Sequence, residues 1–153
     1  MDPQTPSAIL SVRPYLRLRR AADAIAFYTR AFGAVEVFRL TEPSGRIGHA
    51  ELHIGPTTIF LADEYPEFGI RGPESLGGAT IALHLDVEDV DALTQRATEA
   101  GATLLRPPGD EFHGQRASVV RDPFGHEWMF AQTIEELSHE DMQRRFSALF
   151  QRT

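Results

Sequence analysis

The chain of 153 residues contains no cysteine. Disulfides, thiolate metal sites and a cysteine nucleophile are therefore excluded, and a reducing, cytoplasmic setting is expected. Long apolar runs are missing too. None approaches the roughly 20 residues that a bilayer-spanning helix needs, so no membrane partner is expected. The first seven residues carry neither a basic nor an apolar stretch, and no signal peptide is expected there. Positive charge is short: 15 Lys+Arg stand against 22 Asp+Glu, a formal net charge of −7. A phosphate-binding surface needs a basic excess, so nucleic acid is not an expected partner. The balance fits either an ordinary acidic protein or an acidic groove for a cationic ligand. There is no glycine-rich phosphate loop, nucleophile elbow or HExxH helix.

What is present is ordinary globular material, 42% hydrophobic and 24% charged, in a length that suits one domain or two small fused modules. Residues 1–11 are polar and proline-containing and read as a lead-in. Val12–Leu18 reads as a strand. Ala22–Phe32 reads as a helix, with Ile25, Tyr28, Ala31 and Phe32 on one face and Gly33 ending it. Three strands are expected next, Val35–Leu40, Ile47–Ile54 and Thr57–Ala62, separated by Thr41–Gly45 and by Gly55-Pro56. Residues 63–78, rich in glycine, proline and acids, read as a link.

The order then repeats. Thr80–Val87 is a strand, and Asp89–Ala100 a helix with Val90, Leu93 and Ala97 on one face, closed by Gly101. Thr103–Arg106, Gln115–Arg121 and Glu127–Gln132 are strands. Phe32-Gly33-Ala34-Val35 in the first half matches Ala100-Gly101-Ala102-Thr103 in the second, a fold-level repeat. A last helix is expected over 138–150. Ser138 caps it, Asp141 sits three residues on, and Met142, Phe146, Leu149 and Phe150 form its apolar face. That face either packs on its own domain or meets a second copy.

Tyr15-Leu16-Arg17-Leu18, Ala24–Tyr28 and Phe32-Gly33-Ala34 resemble the opening of a vicinal-oxygen-chelate module. Val87–Ala92 with Ala100-Gly101-Ala102 resembles a second opening, and Asp122-Pro123-Phe124-Gly125-His126 the closing turn of that superfamily (glyoxalase, bleomycin resistance protein, extradiol dioxygenase). The PhnB-like subgroup is the nearest pattern, through Glu111-Phe112-His113-Gly114 and the Glu140-Asp141-Met142 helix. The resemblance covers about residues 12–150. It implies an α+β fold in which two βαβββ modules, 12–62 and 80–132, form a cupped, open mixed β-barrel, with the C-terminal helix added. It also implies a small-molecule ligand and a homodimer. Members include lyases, isomerases, oxygenases and drug-sequestering proteins, so fold does not choose the function.

In metal-dependent members four His or Glu ligands come from the first and last strands of the modules. Aligned on the motifs, those positions fall on Arg13, Phe60, Ala82 and Met129, so the standard metal quartet is absent. Strand alternation supplies the other inward candidates. A two-residue hairpin loop at Gly55-Pro56 pairs Ile54 with Thr57 and sets Glu51 opposite Phe60, turning His49, Glu51 and His53 the same way. Arg13, Tyr15 and Arg17 are expected inward on the first strand, and Thr80, Ala82 and His84 on the fifth. If Val120 pairs with Glu127, Arg116, Ser118, Glu127 and Met129 face in, while Val119, Trp128 and Phe130 face the helices. Phe112 and His113 suit a lid or rim, and His126 a structural role.

Such a cavity offers arginines for a carboxylate or phosphate, Glu51 and His84 for proton transfer, and Tyr15, Phe60, Ala82 and Met129 as apolar wall. The expectation is a small-molecule binding protein of the resistance or sequestering kind, with no cofactor. The alternative is a lyase, isomerase or dioxygenase holding a divalent metal such as zinc, iron, manganese or nickel on His49, Glu51 and His84. Metal-free acid–base catalysis by Glu51 or His84 is a third possibility.

Overall fold

Hydrophobic alternation and two glycine-stopped helices build the same unit twice in a computed structural model that describes residues 7–151. The first unit runs β1 (Tyr15–Leu18), α1 (Ala21–Phe32), β2 (Val35–Thr41), β3 (Ile47–Ile54) and β4 (Thr57–Asp63). The linker holds a 3₁₀ turn (Pro66–Phe68) and a short helix, α2 (Pro73–Leu76). The second unit runs β5 (Ala82–Asp86), α3 (Val90–Ala100), β6 (Thr103–Asp110), β7 (Gln115–Arg121) and β8 (Glu127–Thr133), followed by α4 (His139–Ala148). Of the expected lead-in over 1–11, residues 1–6 lie outside the described residues.

Each unit makes one four-stranded mixed sheet, in the orders β1-β4-β3-β2 and β5-β8-β7-β6. The expected α+β, glyoxalase-like fold is the one observed. The Gly55-Pro56 hairpin sets the register as expected: Ile54 pairs with Thr57 and Glu51 with Phe60. Gly33 takes a left-handed φ of 68°, which stops α1 and turns the chain into β2. Ser138 and Asp141 form a complete capping box on α4.

Two strands start later than expected. Val12–Pro14 and Thr80-Ile81 stay outside β1 and β5, and each of these strands is paired on one side only, β1 with β4 and β5 with β8. Their other edges are open, and Val12 (87% exposed) and Ile81 (73%) lie in the solvent beside them.

One hydrophobic core joins the units. α1 packs Ala24, Ile25, Phe27 and Tyr28 into it together with Leu52 and Leu61 from the first sheet and Trp128 and Phe130 from the second. Phe32 of α1 lies 4.6 Å from the Trp128 ring and 5.7 Å from Phe130. The helices therefore lie between the two sheets. The expectation of one hollow shared by both sheets within a chain is corrected here: their other faces turn outward, away from each other.

Candidate functional site

The outer face of the first sheet carries aromatic side chains in a row. Along β3, Ala50, Leu52 and Ile54 are buried toward the helices, and His49, Glu51 and His53 take the opposite side. Tyr15 pairs with Phe60, which pairs with Glu51, which pairs with Phe38. The rings touch accordingly: Tyr15 to Phe60 at 5.7 Å, His49 to Phe60 at 5.1 Å, and Phe38 to His49 at 5.6 Å. The Tyr15 hydroxyl lies 2.7 Å from His49 Nδ1. Burial raises the Tyr15 phenol above its ordinary pKa, with the Arg17 charge acting in the opposite sense. The contact joins the phenol to the imidazole within the ring cluster. Arg13 lies over the Phe60 ring, 5.5 Å from its centroid. Tyr15 (48%) and Phe38 (42%) remain exposed, so the ring cluster is open to water.

Beside it a groove of about 620 Å³ runs along the open edge of β1, lined among others by Tyr15, Arg17, Arg71, Ile81 and His126. Thr80 lines it too. The linker reaches this place because Gly72 has no side chain: a Cβ there would sit 2.4 Å from the Arg17 carbonyl oxygen. His126 Nε2 donates to that same oxygen at 2.9 Å, tying the β7–β8 turn to β1. This agrees with the structural role expected for His126 and also brings it to the groove.

On the second sheet, Ala82 pairs with Glu127 and His84 with Met129, all opposite the buried Trp128 and Phe130. His84 lies 3.8 Å from the Asp86 carboxylate. The expectation for β7 is overturned. Val120 pairs with Trp128 and Arg121 with Glu127, because the closing turn runs Asp122–His126. The shift by one residue flips the face. Ser118 is fully buried against α3, 2.7 Å from the Thr94 hydroxyl. Arg116 is fixed by Asp91 of α3 at 2.8 Å and by Asp110 at 3.0 Å, and these partners hold its guanidinium charged. Neither belongs to the open face. Phe112 packs at a tilt against Phe146 of α4, ring centroids 5.5 Å apart, and His113 bonds Gln115 at 3.1 Å.

The structure therefore brings Arg13, Tyr15, Arg17, His49, Glu51 and Phe60 to one face, and puts Ala82, His84 and Met129 on the other sheet. Among the described residues no three His, Asp or Glu side chains gather as a metal-holding group. His49, Glu51 and His84 are divided between the sheets. The residues at the superfamily's ligand positions do not fit a divalent ion either: Arg13, Phe60 and Ala82 offer it no lone pair, and the Met129 thioether is a soft donor standing alone. A second hollow, about 590 Å³, lies between the hairpin at Gly55–Thr57 and the start of α3, with Phe32, Ile54 and Leu93 as apolar walls.

Sequence reasoning missed Phe38 and Arg71. A β-bulge between Glu36 and Phe38 breaks the alternation that would have aimed Phe38, and Arg71 stands in a linker without periodicity.

A model of the Glyoxalase/Bleomycin resistance protein/Dioxygenase superfamily matches residues 10–130. An uncharacterized protein of Mycobacterium bovis is 42% identical over 141 residues, 90% of this chain and 93% of that one. A solved structure from Arabidopsis thaliana is similar at 26% identity and TM-score 0.68, over 81% of this chain and 99% of that one. A glyoxalase-related enzyme from Fulvimarina pelagi matches at 25% identity and TM-score 0.63, over 81% and 88%.

Proposed function

The chain belongs to the Glyoxalase/Bleomycin resistance protein/Dioxygenase superfamily, and from that premise we propose that it binds a small planar apolar molecule against the outer face of its first sheet. The observation that carries this is the exposed ring cluster of Tyr15, Phe38, His49 and Phe60. Rings packed at a tilt on a sheet offer contact surface at little conformational cost. Ligand binding of the resistance or sequestering kind needs no more than this, and the Glu111–Gly114 and Glu140–Met142 motifs favour the PhnB-like branch.

One sheet makes only half a cup. A homodimer completes it: the outer face of the first sheet in one copy closes on the outer face of the second sheet in the other, which brings Ala82, His84 and Met129 opposite the rings. The open edges of β1 and β5, flanked by exposed Val12 and Ile81, favour this contact. A twofold axis makes the same contact twice.

Calorimetric titration of the full chain with naphthamide tests the reading. Saturable binding that Tyr15→Ala and Phe60→Ala each weaken by about tenfold supports it, since base-like stacking is worth ~1–3 kcal/mol per ring. Binding indifferent to both substitutions overturns it. Consumption of a bound ligand would replace sequestration with the enzymatic alternative, in which Glu51, beside the rings, and His84, from the other copy, move protons.

A further inference from the structure

We infer that the groove beside the rings is an anion subsite, so that the ligand is an aromatic acid: a planar body carrying a carboxylate or phosphate. This rests on the proposed binding face and names the chemistry it selects. Eight of the fifteen arginines of this chain are held by carboxylates. Arg19, Arg20, Arg39, Arg46, Arg106, Arg116, Arg144 and Arg145 each lie against a carboxylate. Arg30, Arg96 and Arg121 have no such partner among the described residues, and neither have Arg17 and Arg71, which are the two that share one groove. Arg13, over the Phe60 ring, has none either.

The groove lining named by the structure contains no Asp or Glu, in a chain whose net charge is −7. Two exposed guanidinium groups lining one groove that holds no carboxylate leave their charge and donors free for an anion there. Arginine meets carboxylate and phosphate oxygens with paired N–H donors, which gives geometry as well as charge. The placement is also specific. Tyr15 lines the groove and belongs to the ring cluster, so one molecule can stack on the rings and reach the arginines. Gly72 admits the linker close enough to deliver Arg71, and His126 braces the Arg17 backbone from the other side. The acidic groove that the overall charge allowed is thus replaced by a basic one.

The test compares naphthoate and naphthyl phosphate with neutral naphthamide by calorimetric titration of the full chain, in the wild type, Arg17→Gln and Arg71→Gln. Both anions, or one of them, should bind about tenfold or more tighter than naphthamide, the range of a charged hydrogen bond. Arg71→Gln should erase the preference at an unchanged unfolding midpoint. A preference for one anion identifies carboxylate or phosphate as the group selected. Equal affinity for the neutral and anionic probes overturns the subsite and leaves the aromatic face standing. Anion binding that Arg71→Gln removes, without any naphthamide binding, keeps the subsite and overturns the aromatic face. Binding of none of the three overturns both.

Discussion

The Tyr28 hydroxyl on α1 donates a 2.6 Å hydrogen bond to the buried carboxylate of Asp122 in the β7–β8 turn. The same carboxylate accepts from Trp128 Nε1 at 2.9 Å and from the backbone N–H groups of Phe124 and His126 at 2.9 and 3.0 Å. A buried charge survives only with such a set of donors. This bond ties the first module's helix to the second module's closing turn, alongside the core that the two units share.

Tyr28→Phe removes one donor and should cost about 1.5–3 kcal/mol, the range for hydrogen bonds to charged groups, read as a lower urea midpoint at unchanged slope. The Tyr28 phenol is pushed well above its ordinary value of 10.0, first by burial and then by the Asp122 charge. A pKa raised in the folded state gives stability that is complete below the unfolded value and declines as pH rises past it. Wild-type stability should therefore fall above pH 10, and part of that fall should vanish in Tyr28→Phe. An unaltered alkaline limb would refute the linkage.

Much of this was legible beforehand where a turn leaves one choice. Gly55-Pro56 permits a single tight register, and that register aimed His49, Glu51 and Phe60 correctly. Asp122–Gly125 looked equally tight, yet the loop includes His126, and one residue turned Arg116 and Ser118 to the wrong face. Tyr28 and Phe32 were recognisable as an apolar stripe. Nothing in their spacing says that the stripe is shared with a second sheet, because periodicity records that a face is buried and not what buries it.

Arg116→Ala provides the control for the corrected face. Its ion pairs with Asp91 and Asp110 are solvent-exposed at the carboxylate end, so the loss should be no more than about 1 kcal/mol. Affinity for naphthamide and for either naphthyl anion should stay at the wild-type value. A tenfold loss would return Arg116 to the site and undo the observed β7 register.

Ile81 beside the open edge of β5 gives a handle on assembly. Ile81→Asp places a charge where the second copy is proposed to dock, while the 73% exposure of this side chain leaves the folded monomer little to lose. Sedimentation of the wild type should report a dimer at micromolar concentration, and Ile81→Asp a folded monomer. Sedimentation alone reads the assembly in this variant, because Ile81 also lines the groove beside the rings. A wild type that sediments as a monomer and still binds the probe would confine the site to one sheet.

Metal content separates binding from the superfamily's metal-assisted reactions. At the ligand positions, Arg13 is a cation over the Phe60 ring, Phe60 and Ala82 have no donor atom, and Met129 supplies one soft sulfur. On the alternative set, His49 Nδ1 is already engaged by Tyr15. Protein purified without added metal should accordingly carry far less than stoichiometric zinc, iron, manganese or nickel. A site filled at a hundred times its dissociation constant stabilises the fold by about 2.7 kcal/mol. In a chain of this size that raises the thermal midpoint by roughly 5–10 °C, so adding these ions should move it by much less. A rise of that order, lost in Glu51→Gln or His84→Ala, would instead place a metal between the facing sheets and make the metal-dependent reading the correct one.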